Sequence, residues 1–184
     1  PHSGEVKDTV SARGLWESIL ETRFITGEPY MNFIDTANKA LPDYLKALGL
    51  KINGSNLCNE IHLPTNKDRS AVCCLLSVNL EKYLEWKDTA LVEMLTRFLD
   101  NVMQWFIDHA PKEMHKAIFG AESERPLGIG AMGFHSLLQR LRIPFESAGA
   151  ASLNRKIFRE IKRNALLATA GMAVTRGEPA DLKG

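Results

Sequence analysis

Residues 150–174 restrict the fold more than any other part of the chain. Leu153, Ile157, Ile161, Ala165, Ala168 and Met172 recur there every three or four positions, with no proline until Pro179. That spacing predicts one long amphipathic helix, closed by Gly177 and Pro179. At 1.5 Å per residue it is roughly 37 Å long, and its apolar side needs partners along most of that length. Residues 91–106 offer one. Leu91, Met94, Leu95, Phe98, Val102, Trp105 and Phe106 form a stripe at helical spacing behind the cap candidates Asp88 and Thr89. Two shorter helices follow. One covers residues 111–119 and ends at Gly120; the other starts near Ile129, carries Leu137, Leu138 and Leu141, and stops before Pro144. These stripes are read as core packing.

The first half has a different texture. Its first ten residues are polar and expected to be loose. Ala12, Leu15, Trp16, Ile19 and Leu20 set out a helix with one apolar face, stopped by Gly27 and Pro29. Residues 30–34 fit a short strand, and residues 42–48 a short helix closed by Gly49. Two runs, 56–63 and 71–80, are extended in character, with a polar connection over 64–70. Few strands among long helices point to an α/β layout with too few strands to close a sheet, the mark of an incomplete domain.

Charge excludes some functions. Lys and Arg total 23 against 22 Asp and Glu, a formal charge of +1. That balance leaves no basic footprint for nucleic acid or an anionic membrane. No apolar run approaches the roughly 20 residues that span a bilayer, and no signal-peptide pattern opens the chain, so a cytoplasmic setting is expected. The three cysteines, Cys58, Cys73 and Cys74, are read as reduced thiols rather than a disulfide framework.

Chemistry concentrates in Ser55-Asn56-Leu57-Cys58-Asn59-Glu60-Ile61. If the segment is extended, Asn56, Cys58 and Glu60 share one face and present an amide, a thiol and a carboxylate side by side. Asn56 can orient hydroxyl groups, Cys58 can react, and Glu60 can take or return a proton. Gly54 upstream permits a sharp bend. By spacing alone this is a weak signal, and the ordinary reading of a cysteine here is a small buried hydrophobe.

The run SNLCNEIHLPT resembles the active-site finger loop of class I and class II ribonucleotide reductase large subunits, whose core is Asn-Leu-Cys-x-Glu-Ile. FIDTAN at residues 33–38 resembles the family's segment before that loop. Residues 73–80 resemble the strand after it, and RPLGIGAMGFHSLLQ at 125–139 a downstream helix start. The likeness runs in family order from about Leu15 to Pro179. It implies a ten-stranded α/β barrel with a central finger loop, of which residues 1–184 are an incomplete central segment with a helix-rich second half. It further implies reduction of ribonucleotides to deoxyribonucleotides for DNA synthesis. Cys58 then matches the cysteine that becomes a thiyl radical and takes the ribose 3′ hydrogen. Glu60 matches the base for the 3′-hydroxyl, Asn56 the residue bonding the sugar hydroxyls, and Cys73 one of two redox-active cysteines.

The family's pattern is only partly present. There is no cysteine upstream of Cys58 to pair with Cys73, no Ser/Pro-rich phosphate loop, no paired tyrosines, no cysteine-bearing tail and no allosteric nucleotide-binding cone. The chain therefore reads as the middle of the barrel, bounded by a cloning junction, a split gene or an excised insertion, and inactive without the missing segments. Implied partners are those segments, a nucleotide substrate, a thioredoxin or glutaredoxin-type reductant and a radical-generating small subunit. No cofactor is expected on the segment itself; the radical source is a metal-containing partner subunit or adenosylcobalamin. The rival readings are a non-catalytic interaction module derived from the same barrel and a generic helical scaffold.

Several patterns mislead. Gly128-Ile129-Gly130-Ala131-Met132-Gly133 spells a dinucleotide fingerprint without its strand-turn-helix context, and is read as close packing at a helix start. His109 and His115 are six apart, poorly placed for a shared metal, and His62 and His135 stand alone. Adjacent Cys73 and Cys74 point to opposite faces of a strand and make a poor chelate.

Overall fold

The computed structural model describes residues 8–183. The expectation for the first ten residues falls largely outside that range. Helix α1 (Ala12–Thr26) starts where the Ser11 hydroxyl accepts the Gly14 N–H at 3.2 Å. It stops at Gly27, whose left-handed φ of 81° lets its N–H reach the Arg23 carbonyl. Its apolar face is not packed: no α1 residue is buried, and Leu15 and Trp16 are about half exposed.

Residues 30–33 do not form the expected strand. Phe33 serves as the N-cap of α2 (Ile34–Ala40), and α3 (Asp43–Ala47) follows after Pro42. Both are held on a small cluster of Leu41, Leu45 and Ile52, with Ile34, Ala37 and Leu50 against it. Asn38 tightens the arrangement. Its Nδ2 donates to the Ile52 carbonyl (2.8 Å) and its Oδ1 accepts the Ile52 N–H (2.9 Å), as a neighbouring strand would. The chain entering the SNLC turn is thereby fixed to α2.

Strands β1 (Cys74–Asn79) and β2 (Leu127–Met132) pair in parallel, Cys74 opposite Leu127 through Asn79 opposite Met132. They form the one sheet among the described residues. A parallel pair needs a long crossover. Here it contains α4 (Tyr83–Trp86), α5 (Leu91–His109) and α6 (His115–Glu124). After β2 come α7 (Phe134–Arg140) and the long α8 (Ala148–Arg176), which the Ser147 hydroxyl caps by accepting the Ala150 N–H. The core lies between the sheet and these helices: Val78, Leu80, Tyr83, Trp86, Val92, Leu137, Ile157 and Ile161, with Leu76, Ile129 and Ala131 beside them. As the spacing of 150–174 predicts, Ile157, Ile161, Ala168 and Met172 are all buried.

Three helical expectations need correction. The residues that α5 buries are Val92, Thr96, Leu99, Asp100 and Met103, a face rotated by roughly a third of a turn from the apolar stripe. Of that stripe, Met94, Phe98 and Trp105 are more than half exposed. Second, Gly120 does not end a helix; α6 continues to Glu124. A Cβ at Gly120 would overlap the Ser70 carbonyl oxygen, so the glycine admits a loop backbone against the helix. Third, residues 127–132 are a strand, not a helix start. Gly128 gives room to the Leu75 side chain across the pair, and Gly133, with φ 78°, forms the N-cap of α7. The first two glycines of the fingerprint thus sit inside a strand, where no phosphate-binding turn exists.

Gly120→Ala is expected to destabilise the protein by about 1–3 kcal/mol, because the obstacle is backbone rather than a flexible side-chain end. The midpoint of urea unfolding measures it; an unchanged midpoint would contradict the close approach.

Candidate functional site

The SNLC run is a turn, not a strand, which corrects the expected alternation over 56–63. The Asn59 N–H donates to the Asn56 carbonyl (3.1 Å), and Asn59 has a φ of 59°, in the left-handed region. Asn56 Oδ1 accepts the N–H groups of Glu60 (3.1 Å) and Ile61 (3.0 Å). An asparagine bonding its own backbone a few residues on is a local alternative to strand pairing, and here it prevails. With the period of two lost, Asn56, Cys58 and Glu60 do not project in a row. Cys58 and Glu60 are exposed on the turn, while Asn56 reaches the cavity beside it.

That cavity, of about 660 Å³, opens between the turn and the start of β1. Asn53, Ser55 and Asn56 line one side; Arg69, Ser70, Cys73 and Leu75 line the other. Cys73 and Asn56 therefore share a space, and Cys58 and Glu60 are not among its walls. The alternation expected for β1 holds. Leu75, Ser77 and Asn79 are exposed, whereas Leu76 and Val78 pack into the core. Cys74 lies on the Leu76 and Val78 side, with Cys73 facing the cavity.

Burial acts on both of these thiols. Burial, with neighbouring Cys74 and Glu124 adding to it, pushes the Cys73 thiol up to about 11. Burial also raises that of Cys74. A protonated thiol is a poor nucleophile but still carries an S–H hydrogen it can donate.

Arg69, which the sequence did not single out, is the buried cation of the cavity wall, with 3% of its surface exposed. Its guanidinium donates to Glu124 (3.1 Å) and to Asp181 (2.5 Å). Burial raises the Glu124 carboxyl above its ordinary range, even though Arg69 pulls it down. The Ser70 N–H donates to the Lys116 carbonyl (3.1 Å), so the loop carrying Arg69 is held on α6 by backbone as well as charge. Arg69 and Asn38 were missed because each acts through a partner 14 to 112 residues away.

No set of three His, Cys, Asp or Glu side chains is arranged as metal ligands among the described residues. His109 stacks on Trp105 (centroids 4.7 Å apart), and His135 meets the edge of Phe145. Among the described residues, no helix is long and apolar enough to cross a membrane.

Comparison with known proteins concerns the chain as a whole. A family model described as "Ribonucleotide reductase, barrel domain" matches residues 2–182. The putative ribonucleoside-diphosphate reductase large subunit of Frog virus 3 (isolate Goorha) is 60% identical over 187 residues, covering 100% of this chain and 33% of that protein. The ribonucleoside-diphosphate reductase large subunit of Invertebrate iridescent virus 3 is 47% identical, covering 100% and 29%. The solved alpha subunit of a class Id ribonucleotide reductase from Actinobacillus ureae superposes with a TM-score of 0.88 at 42% identity, over 94% of this chain and 34% of that one. The chain thus spans about a third of the length of such relatives.

Alkylation at pH 8 is expected to modify Cys58 first and Cys73 far more slowly. With its thiol near 11, only about one Cys73 in a thousand is ionised at that pH. Peptide mapping after brief iodoacetamide treatment checks the order; equal labelling of Cys58 and Cys73 would contradict the burial argument.

Proposed function

Since the chain belongs to the ribonucleotide reductase barrel family, and its two strands and surrounding helices are part of that α/β barrel, we propose that it is the central segment of a catalytic subunit reducing ribonucleotides. The observation carrying the proposal is the cavity shared by Asn56 of the SNLC turn and Cys73 just before β1. Relatives are named for ribonucleoside diphosphates, and a nucleoside diphosphate is the substrate proposed here.

In this reading Cys58, as a thiyl radical, removes the 3′ hydrogen of the ribose. Glu60 takes the proton of the 3′-hydroxyl, which assists departure of the 2′-hydroxyl as water once a thiol of the reducing pair has protonated it. Asn56 spends its Oδ1 on the turn and keeps its Nδ2 donors for a sugar hydroxyl. Cys73 supplies reducing equivalents together with a cysteine from outside this segment, and the two end as a disulfide. A high Cys73 pKa suits a thiol that must stay protonated until the substrate radical has formed.

The exposure of Cys58 and Glu60 is consistent with enclosure by other barrel segments, since a thiyl radical must be shielded from solvent and stray thiols. The proposed partners are therefore the remaining segments of the subunit, a small subunit that generates the radical, and a dithiol reductant of the thioredoxin or glutaredoxin type. Adenosylcobalamin as radical source is less favoured, because the matched relatives are large subunits, a term that implies a small one. A cytoplasmic location is proposed with the same partners. A non-catalytic module is not favoured either: Asn56, Cys58 and Glu60 are all retained in the SNLC turn.

In the full-length subunit, Cys58→Ser is expected to abolish deoxyribonucleotide formation with the fold intact, the two side chains being close in volume. Appreciable product from that variant would refute the assignment. Cys73→Ser is expected to stop multiple turnovers supported by a dithiol reductant, and Cys74→Ser to cost only about 1 kcal/mol of stability. Turnover assays and denaturant unfolding distinguish the two; loss of turnover in Cys74→Ser alone would reverse the roles.

A further inference from the structure

The tip of the SNLC turn buries almost nothing. Leu57 is 93% exposed and Cys58 is exposed as well. Within this segment, apolar packing does not fix the position of the thiol, and the turn takes its shape from polar bonds. Two of them come from Asn56, whose Oδ1 receives the Glu60 and Ile61 N–H groups downstream of the tip. The residue next to Cys58 is Asn59, and three observations meet on it. Its backbone is left-handed, with φ 59°, a conformation that side chains resist and that Asn and Asp tolerate best after Gly. Its N–H closes the turn on the Asn56 carbonyl at 3.1 Å. Its Oδ1 lies 2.7 Å from Ser55 Oγ, whose hydroxyl donates to it across the base of the tip, with the Asn56 carbonyl a longer second acceptor at 3.1 Å.

We propose that Asn59, clamped by Ser55, is a positioning residue for the reaction: the pair sets where the turn presents the Cys58 sulfur. This rests on the function proposed above. Hydrogen transfer between sulfur and a ribose carbon tolerates little error in approach, and a misplacement of about 1 Å can cost on the order of a hundredfold in rate. Two constraints converge on the residue after the thiol. The backbone constraint sets the direction in which the chain leaves Cys58, and the side-chain constraint fixes the width of the loop. Gly at position 59 would satisfy the first without the second, and Asp would satisfy both. Ala would satisfy neither.

The test compares Asn59→Ala, Asn59→Gly, Asn59→Asp and Ser55→Ala in the full-length subunit with its radical source, alongside Cys58→Ser. Asn59→Ala is expected to lower kcat roughly ten- to hundredfold, with substrate KM within about twofold and the unfolding midpoint lowered only slightly, by the strain of a left-handed alanine. Asn59→Asp should restore most of kcat. Asn59→Gly and Ser55→Ala should show similar intermediate losses, and their combination should cost no more than either alone, since both remove one bond. The proposal is overturned if Asn59→Ala turns over at the parent rate while Cys58→Ser is dead. It is equally overturned if kcat, KM and unfolding midpoint all deteriorate together and Asp gives no rescue, which is the pattern of a merely structural residue. Turnover by Cys58→Ser is a distinct result: it removes the functional reading itself, and the positioning role with it.

Discussion

A ring of buried and half-buried charges holds together the parts of the chain that surround the site. Glu124 and Arg125 are adjacent at the junction of α6 and β2, and they pair in different directions. Glu124 accepts from Arg69 in the loop before β1, while Arg125 donates to Asp100 on α5 at 2.7 and 2.9 Å. Asp100 also pairs with Arg176 at the end of α8. A few residues later Asp181 returns to Arg69. Removing charges such as Arg69 and Asp100 from water is costly, and the cost is met only when both sides of each pair are in place. The ring therefore works as a registration device for the cavity loop, the crossover helices and the C-terminal segment more than as a source of net stability.

That registration explains how a short sheet and a loop give a defined cavity. The loop at 66–70 is fixed by the Arg69 pairs and by the contact of Ser70 with α6 that Gly120 permits. The opposite side is fixed by Asn38, which bonds Ile52 in the manner of a strand. Between them the SNLC turn is held by its own asparagines rather than by the core. Both ends of the finger are thus anchored to helices, and within this segment its tip is shaped by polar bonds. A tip of this kind suits a residue that has to meet a substrate inside a larger barrel.

Much of the helical framework could be read from the chain because burial and spacing agree. The face of α8 that carries Ile157, Ile161, Ala168 and Met172 is the one that packs. In α5 they disagree. Its buried face includes Thr96 and Asp100, polar residues that look like solvent positions until Val92, Arg125 and Arg176 supply their partners. The stripe of Met94, Phe98 and Trp105 looks like core and is exposed. For the site, the chemical residues were legible as types and as a family pattern, but not their arrangement. Cys73 and Asn56 meet at one cavity, while Cys58 and Glu60 stand outside it.

By itself, the sequence determined the positions of the long helices, the alternation of β1 that separates Cys73 from Cys74, and the presence of an Asn-Leu-Cys-x-Glu segment. Each of these follows from local periodicity or from residue identity, which a linear chain already contains. Tertiary structure decided the rest. Residues 127–132 became a strand because β1 lay ready to pair with them, and glycines made room for its side chains. Asn56 to Ile61 became a turn because Asn56 and Asn59 bond nearby backbone and, among the described residues, no strand pairs with it. Arg69 acquired its place from carboxylates 55 and 112 residues away. The pairings of Arg69 and of residues 127–132 depend on which distant groups arrive together in three dimensions, and no short window of sequence contains both partners.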